Sequence, residues 1–355
     1  MKRLTMKISA QSPADPVEPH PARPKSRMGF WLKRIALWLI IGIITLATLG
    51  AVYQTIATAM DRRALPPPGQ MIDLGGYSLH LYCIGENTDG RPTVILESGL
   101  GATSSSWGWI QPSVAKTTRV CAYDRAGMGW SDPSPAPRDA QNIATELHTL
   151  LQKAQIPGPY VLAGWSYGGL YVRQYADQYP DEVVGMVLLD SSSPEQCIST
   201  PATQAQCAST AKLFTVAPIL TRLGVLRVIG LSQPASGLPS PQNEELLASF
   251  SATKDWDTQS AEFFASPSTR GQGLNSESLG DMPLFVLTAT GHDFEQLWQG
   301  WQAGFTALST NSVQRVLPGA THGSIMYDST DAKVSAEAIL QVVEAVRTGA
   351  ALKSP

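Results

Sequence analysis

The stretch Tyr160-Val161-Leu162-Ala163-Gly164-Trp165-Ser166-Tyr167-Gly168-Gly169 carries the residues most able to do chemistry. Ser166 stands at the centre of Gly-x-Ser-x-Gly. An apolar, strand-like run precedes it, and a helix-like run from Leu170 to Tyr179 follows and stops at Pro180. A serine on a sharp strand-to-helix turn holds its hydroxyl above a sheet edge, at a helix N-terminus. The pentapeptide alone also describes an ordinary turn, so its meaning depends on partners. A serine hydroxyl is a weak nucleophile until a base takes its proton, and the base needs an acid to orient it. The chemistry on offer is therefore acyl transfer.

Five histidines could be the base: His20, His80, His148, His292 and His322. His322 follows a strand-like run and the loop Pro318-Gly319-Ala320-Thr321, which places it at the C-terminal end of a strand, where such sheets react. It is the expected base. His20 lies in a polar tail, His80 and His148 read as structural, and His292 reads as a loop or pocket residue. Asp293, just past the strand Leu284–Ala289, is the expected acid, because the order Ser166, Asp293, His322 is that of a strand-turn-helix serine hydrolase. Asp190, at the end of the strand Val183–Leu189, is its rival, and Glu295 a weaker one. A tetrahedral intermediate needs two backbone N–H donors. Tyr167 would supply one, and Leu100 in Ser98-Gly99-Leu100-Gly101 the other. Trp107 and Trp165, with Trp109 and Trp130, are candidates to line an apolar pocket. No Cys-x-x-Cys or His/Cys spacing suggests a metal, and the chemistry calls for no cofactor.

These residues need elements to position them. Met71 to Leu74 and Tyr77 to Cys83 flank Gly75-Gly76 as a hairpin. Further strands are expected at Thr93–Glu97, Arg119–Tyr123, Tyr160–Ala163, Val183–Leu189, Leu284–Ala289 and Val313–Leu317. Helical patterns fall between them, with Ile143, Leu147, Leu150 and Leu151 on one face of the run 140–155. This alternation predicts an α/β fold with a mostly parallel sheet covered on both faces. The segment 194–281 interrupts it with helix-like parts at 210–229 and 242–264, and reads as a lid over the strand ends. The core is then 70–193 together with 282–355.

The net charge of −3 hides an asymmetry: residues 1–64 carry 10 Lys/Arg against 3 Asp/Glu, whereas the remainder is acidic. An acidic body argues against nucleic acid as a partner. From Ile35 to Met60 there is no charged residue. Such a run suits a transmembrane anchor at 35–60, after a basic tail at 1–34 and before a stiff Pro-rich spacer at 61–69. Lys25, Arg27, Lys33 and Arg34 would keep the N-terminus in the cytoplasm and put the body outside. The alternative is secretion after cleavage near Ala57-Thr58-Ala59. In an oxidising compartment Cys197 and Cys207 could form a local disulfide. Cys83 and Cys121 lie in two strand-like runs.

From Gly75 onward the chain resembles the α/β-hydrolase superfamily, and more narrowly its membrane-anchored bacterial serine hydrolases related to esterases and epoxide hydrolases. The stretches that carry the resemblance are Gly76 to Cys83, Pro92 to Gly101, Arg119 to Asp132, Gly158 to Gly169 and Pro283 to Ala289. The resemblance implies an eight-stranded sheet in which Tyr77–Cys83 neighbours Arg119–Tyr123. Glu97-Ser98-Gly99 stands where many relatives have His-Gly, and Trp165 where His is common. Epoxide hydrolases and dehalogenases of this fold use an aspartate nucleophile, and Ser166 argues against both chemistries. The expected activity is hydrolysis of a small-molecule carboxylic ester. The alternatives are a peptidase or amidase with the same triad and a non-catalytic binding protein on a hydrolase scaffold.

Overall fold

The computed structural model describes residues 27–87, 90–230, 237–274 and 278–353. Of the expected tail at 1–34, residues 1–26 lie outside them, and 27–34 are helical. The chain divides into two compact units, 1–47 and 48–355. Helix α1 (Arg27–Ala64) begins in the first and ends in the second. It is longer than the uncharged run, because Lys33, Arg34, Arg62 and Arg63 are good helix formers and nothing breaks the helix before Pro66. It is the one described helix long and apolar enough to cross a membrane.

The second unit holds an eight-stranded sheet. Its strands are β1 (Gln70–Asp73), β2 (Ser78–Ile84), β3 (Thr93–Glu97), β4 (Val120–Tyr123), β5 (Tyr160–Trp165), β6 (Val183–Leu189), β7 (Leu284–Thr288) and β8 (Ser312–Val316). Their order is β1-β2-β4-β3-β5-β6-β7-β8. Pairings β1–β2 and β2–β4 are antiparallel and the rest are parallel. Helices α2 (Ile110–Val114), α3 (Ala140–Lys153) and α4 (Gly168–Gln178) come from the first half of the core. The central strands are apolar through their middles because both faces are covered. Val94, Leu96, Val161 and Phe285 belong to one core cluster. Ile95, Leu162 and Val286 belong to the other, with Leu147 and Leu150 of α3. Cys83 stands opposite Cys121 in the β2–β4 register, and the two are disulfide-bonded. Only strand neighbourhood brings them together, so sequence spacing gave no sign of the bridge.

The segment 194–281, expected as a lid, has more helices among its described residues than the two expected. They are α5 (Pro201–Arg222), α6 (Val225–Val228), α7 (Gln242–Phe250), α8 (Thr253–Phe264) and α9 (Ser266–Leu274). Thr200 caps α5 with Pro201 at the first helical position, a favourable start. Gly224, at φ +70°, ends that run. A disulfide joins Cys197 to Cys207 at the beginning of α5. Helices α10 (Glu295–Phe305), α11 (Ser324–Tyr327) and α12 (Ser329–Thr348) complete the chain.

The segment at 61–69 is fastened rather than free. Trp130 Nε1 donates to the Leu65 carbonyl at 3.0 Å, and His80 Nε2 hydrogen-bonds the Pro68 carbonyl. His80 is fully buried and its Nδ1 lies 3.0 Å from Asp124 Oδ2. Burial alone would lower the pKa of His80, but the charge and hydrogen bond of Asp124 raise it. A histidine outside the catalytic set thus holds this linker to the sheet.

Asp255 on α8 is buried, and desolvation pushes its pKa up to about 6, against the opposing pull of Lys254, Ser249 and the Gly129 N–H. An acid whose folded pKa exceeds its unfolded value of about 4 binds more protons when folded. Stability should therefore fall as pH rises from about 4 to about 6. Asp255→Asn keeps the acceptor for Gly129 and removes this slope. Thermal melts of the full chain in detergent should show the variant more stable at pH 8, by roughly 2–3 kcal/mol, and close to the parent at pH 4. An unchanged pH profile would contradict this.

Candidate active site

Strand β5 delivers Ser166 at φ +55°, a left-handed conformation that costs a non-glycine residue energy. The turn depends on its glycines. A Cβ at Gly164 would lie 2.5 Å from the Gly168 carbonyl oxygen, and one at Gly168 would lie 2.2 Å from that of Glu97. With those contacts allowed, α4 starts directly behind the serine. Ser166 N donates to Leu189 O at 3.2 Å, and the Ser166 carbonyl accepts from Ser192 N at 2.9 Å. The serine is thereby locked to the end of β6.

His322 lies between a hydroxyl and a carboxylate. Its Nε2 is 3.0 Å from Ser166 Oγ, and its Nδ1 is 2.6 Å from Asp190 Oδ2. Asp190 is the residue immediately after β6, also at positive φ, and fully buried. Its Oδ1 accepts from Ala289 N at 2.9 Å and from Trp298 Nε1 at 2.7 Å. Burial would raise its pKa, yet the hydrogen bonds and charges of His292 and His322 hold it well below the usual carboxylate range. An ionised Asp190 accepts from Nδ1–H, which leaves Nε2 as the acceptor for the serine proton.

Asp293 does not occupy that place. It is exposed, and its Oδ2 accepts from Gln206 Nε2 of α5 at 3.1 Å. The loop after β7 turns at Gly291, φ +81°, so that His292 and not Asp293 faces Asp190. His292 Nε2 lies 3.0 Å from Asp190 Oδ2, and its ring stacks on Trp298 at 4.0 Å. Glu295 accepts from the His292 N–H at 2.9 Å. Ligand atoms of Asp190, His292 and His322 lie within 4.8 Å of one another. The shared carboxylate accounts for this spacing, since His322 already spends one nitrogen on it and turns the other to Ser166.

The loop after β3 abuts the serine: a Cβ at Gly99 would stand 3.0 Å from Ser166 Cβ. Arg125 fixes this loop, donating from Nη1 to Ser98 O at 2.7 Å and from Nη2 to Gly99 O at 2.9 Å. In a trans peptide the N–H points opposite the C=O. Gripping the Gly99 carbonyl therefore turns the Leu100 N–H away from Arg125. Arg125 itself is buried between Glu97, at 2.7 Å, and Glu262 of α8, at 2.8 Å. Tyr167 precedes the first residue of α4, where a helix has no internal acceptor for its N–H.

The two tryptophans expected in a pocket act as braces. Trp107 is fully buried and donates to Ser98 Oγ at 2.9 Å. Trp165 stacks on His322 at 5.2 Å between centroids and donates to the His322 carbonyl at 3.1 Å. Sequence reasoning missed Trp298 and the partnership of His292 with Asp190. Trp298 is one of nine tryptophans and carries no local signal. Arg125 sits in the Arg119 to Asp132 stretch, but only the fold reveals what it holds.

The model of the alpha/beta hydrolase family matches residues 94–337, and the chain belongs to that family. The chain is 26% identical over 293 residues to an uncharacterised protein of Schizosaccharomyces pombe, covering 73% of this chain and 53% of that one. It thus spans about half the length of that relative. A thermophilic esterase from Thermogutta terrifontis is similar in structure, with a TM-score of 0.60 at 18% identity, covering 78% of this chain and 98% of the esterase. An epoxide hydrolase, CorEH, gives a TM-score of 0.58 at 17% identity, covering 75% and 96%. At these identities the likeness is one of fold. Fold and family agree: both are those of the alpha/beta hydrolases.

Asp190→Asn should cut hydrolysis on the order of 10⁴-fold, because the amide cannot hold His322 in the required tautomer. Asp293→Asn should stay within about threefold of the parent, as expected for an exposed group outside the hydrogen-bonded chain. Turnover of an activated ester by both purified variants checks this, and the reverse ranking would return the acid to the β7 loop.

Proposed function

We propose that this hydrolase cleaves carboxylic esters through an acyl-enzyme on Ser166. The observation that carries the reading is the unbroken chain from Ser166 Oγ through His322 to Asp190, at 3.0 and 2.6 Å. His322 Nε2 takes the Ser166 proton as Oγ attacks the carbonyl carbon. The resulting oxyanion is met by the N–H groups of Leu100 and Tyr167. The intermediate collapses as His322 returns the proton to the leaving alcohol. Water then enters, gives a proton to His322, attacks the acyl carbon, and releases the acid and free Ser166. A serine nucleophile suits esters better than epoxides, because ring opening by serine would leave an ether that this machinery cannot hydrolyse.

Purified Ser166→Ala should fold as the parent does, lose hydrolysis by several orders of magnitude, and take up no fluorophosphonate probe. Equal labelling of parent and variant would overturn the assignment. Panels of esters and peptides, run on the parent, distinguish the ester reading from an amidase with the same residues.

We further propose a single-pass arrangement, with the N-terminus in the cytoplasm and the catalytic body outside. The basic residues Lys25, Arg27, Lys33 and Arg34 before the uncharged run support it. So do the two disulfides of the body, which belong to an oxidising compartment. Protease added to intact cells or spheroplasts should digest the body and spare the N-terminal tail. Protection of the body until lysis would reverse the orientation.

A further inference from the structure

We infer that the outer face of the lid corner formed by α5 and α6 is a lipid-docking surface, seated in the same bilayer as α1. The inference rests on the membrane reading of α1 given above. It starts from how the outer end of that helix is held. Gln54 is the buried residue of this stretch, donating from Nε2 to Ser251 O at 2.6 Å and accepting from Arg227 Nε at 3.3 Å. Arg227 also pairs with Asp61 at 2.8 Å. One turn before Gln54, the helix meets the lid backbone directly, where a Cβ at Gly50 would lie 2.3 Å from the Leu223 carbonyl oxygen. Glycine is what allows this approach. The end of α1 and the lid corner are therefore joined by backbone contact and a polar clamp, not by a loose tether.

This contact sets a depth. Asp61, Arg62 and Arg63 are charged and must stay among headgroups or water. Gly50 lies eleven residues back, roughly 16 Å along the helix at about 1.5 Å per residue. A headgroup layer is only about 5–8 Å thick. With Asp61 at the outer edge of the headgroups, the Gly50–Leu223 contact therefore falls below the headgroup layer, within about 10 Å of the boundary with the acyl chains.

Leading from this contact the lid bares an apolar face. Lys212, Val216, Ile219 and Leu223 follow the 4-3-4 spacing that lines residues along one side of a helix. The row leads away from the anchor contact and is bare, with Val216 47% and Ile219 57% exposed. Beyond the corner, Val228 is 71% exposed and Ile229 56%. Lys212 closes the row with a long stem that can lift its ammonium to the phosphates. The other side of α5 is packed: Phe214 and Ala217 form a cluster with Leu226 and Trp256, and Leu100 packs against it. The bared row is thus one helix thickness from the loop after β3 that abuts Ser166. A water-facing helix would be polar on this side, and an aliphatic row beside a membrane helix fits an interfacial one.

The test uses the full chain in phosphatidylcholine nanodiscs. All four cysteines are in disulfides, so one introduced cysteine gives one nitroxide. Labels at Ile219→Cys, Val228→Cys, Leu39→Cys on α1 and Lys333→Cys on exposed α12 are compared for relaxation by oxygen and by a water-soluble nickel chelate. Ile219→Cys and Val228→Cys are expected to lose nickel accessibility about tenfold or more relative to Lys333→Cys, and to keep oxygen accessibility like Leu39→Cys. Nickel accessibility equal to that of Lys333→Cys at both lid positions would overturn the proposal. So would shielding from both reagents, the signature of a second copy covering the face. If Leu39→Cys itself is open to nickel, the membrane reading of α1 fails, and the proposal with it.

Discussion

A buried carboxylate is the constraint around which this site is organised. Asp190 sits at the end of β6 with no access to solvent, and an ion in such a place is tolerable only when every lone pair is met. The Ala289 N–H, the Trp298 indole and His322 donate to it, and His292 stands against it at 3.0 Å. Those groups come from the ends of β7 and α10 and from the loops after β7 and β8. One charge therefore fixes the relative positions of four segments, and His322 is aimed at Ser166 as a consequence. Both Ser166 and Asp190 carry positive φ. Strain at two adjacent strand ends persists only because the surrounding hydrogen bonds over-determine it.

A second buried charge organises the opposite side of the serine. Arg125 links the loop after β3 to α8 of the lid through Glu97, Glu262 and two carbonyls. Removing one member of such a set leaves the others uncompensated, so α8 and the loop after β3 are held as one piece. Glu97, the last residue of β3, ties that strand's end to this arginine.

The membrane-proximal end of the second unit follows the same logic with weaker interactions. His80 and Trp130 hold the linker carbonyls, and Gln54 and Arg227 hold the helix end to the lid. The body is attached at several points within a short length of chain.

What the sequence determined by itself were the features written in local pattern. The apolar strands, their alternation with helices, the turn around Ser166 and the uncharged run of α1 are all short-range consequences of residue type. The proposed base was legible because His322 follows the last strand and closes the chain order serine, acid, histidine, whereas His292 follows the strand before it. The proposed acid was not, because Asp190 and Asp293 both lie past a strand between Ser166 and His322 and satisfy the same chain order. The choice rests on how the loop after β7 turns at Gly291, which swings His292 toward Asp190 and Asp293 toward Gln206. The same holds for Trp107 and Trp165, braces rather than pocket walls, and for the Cys83–Cys121 bridge. Each depends on contacts between residues far apart in the chain, and only the packed tertiary structure decides which side chains meet there.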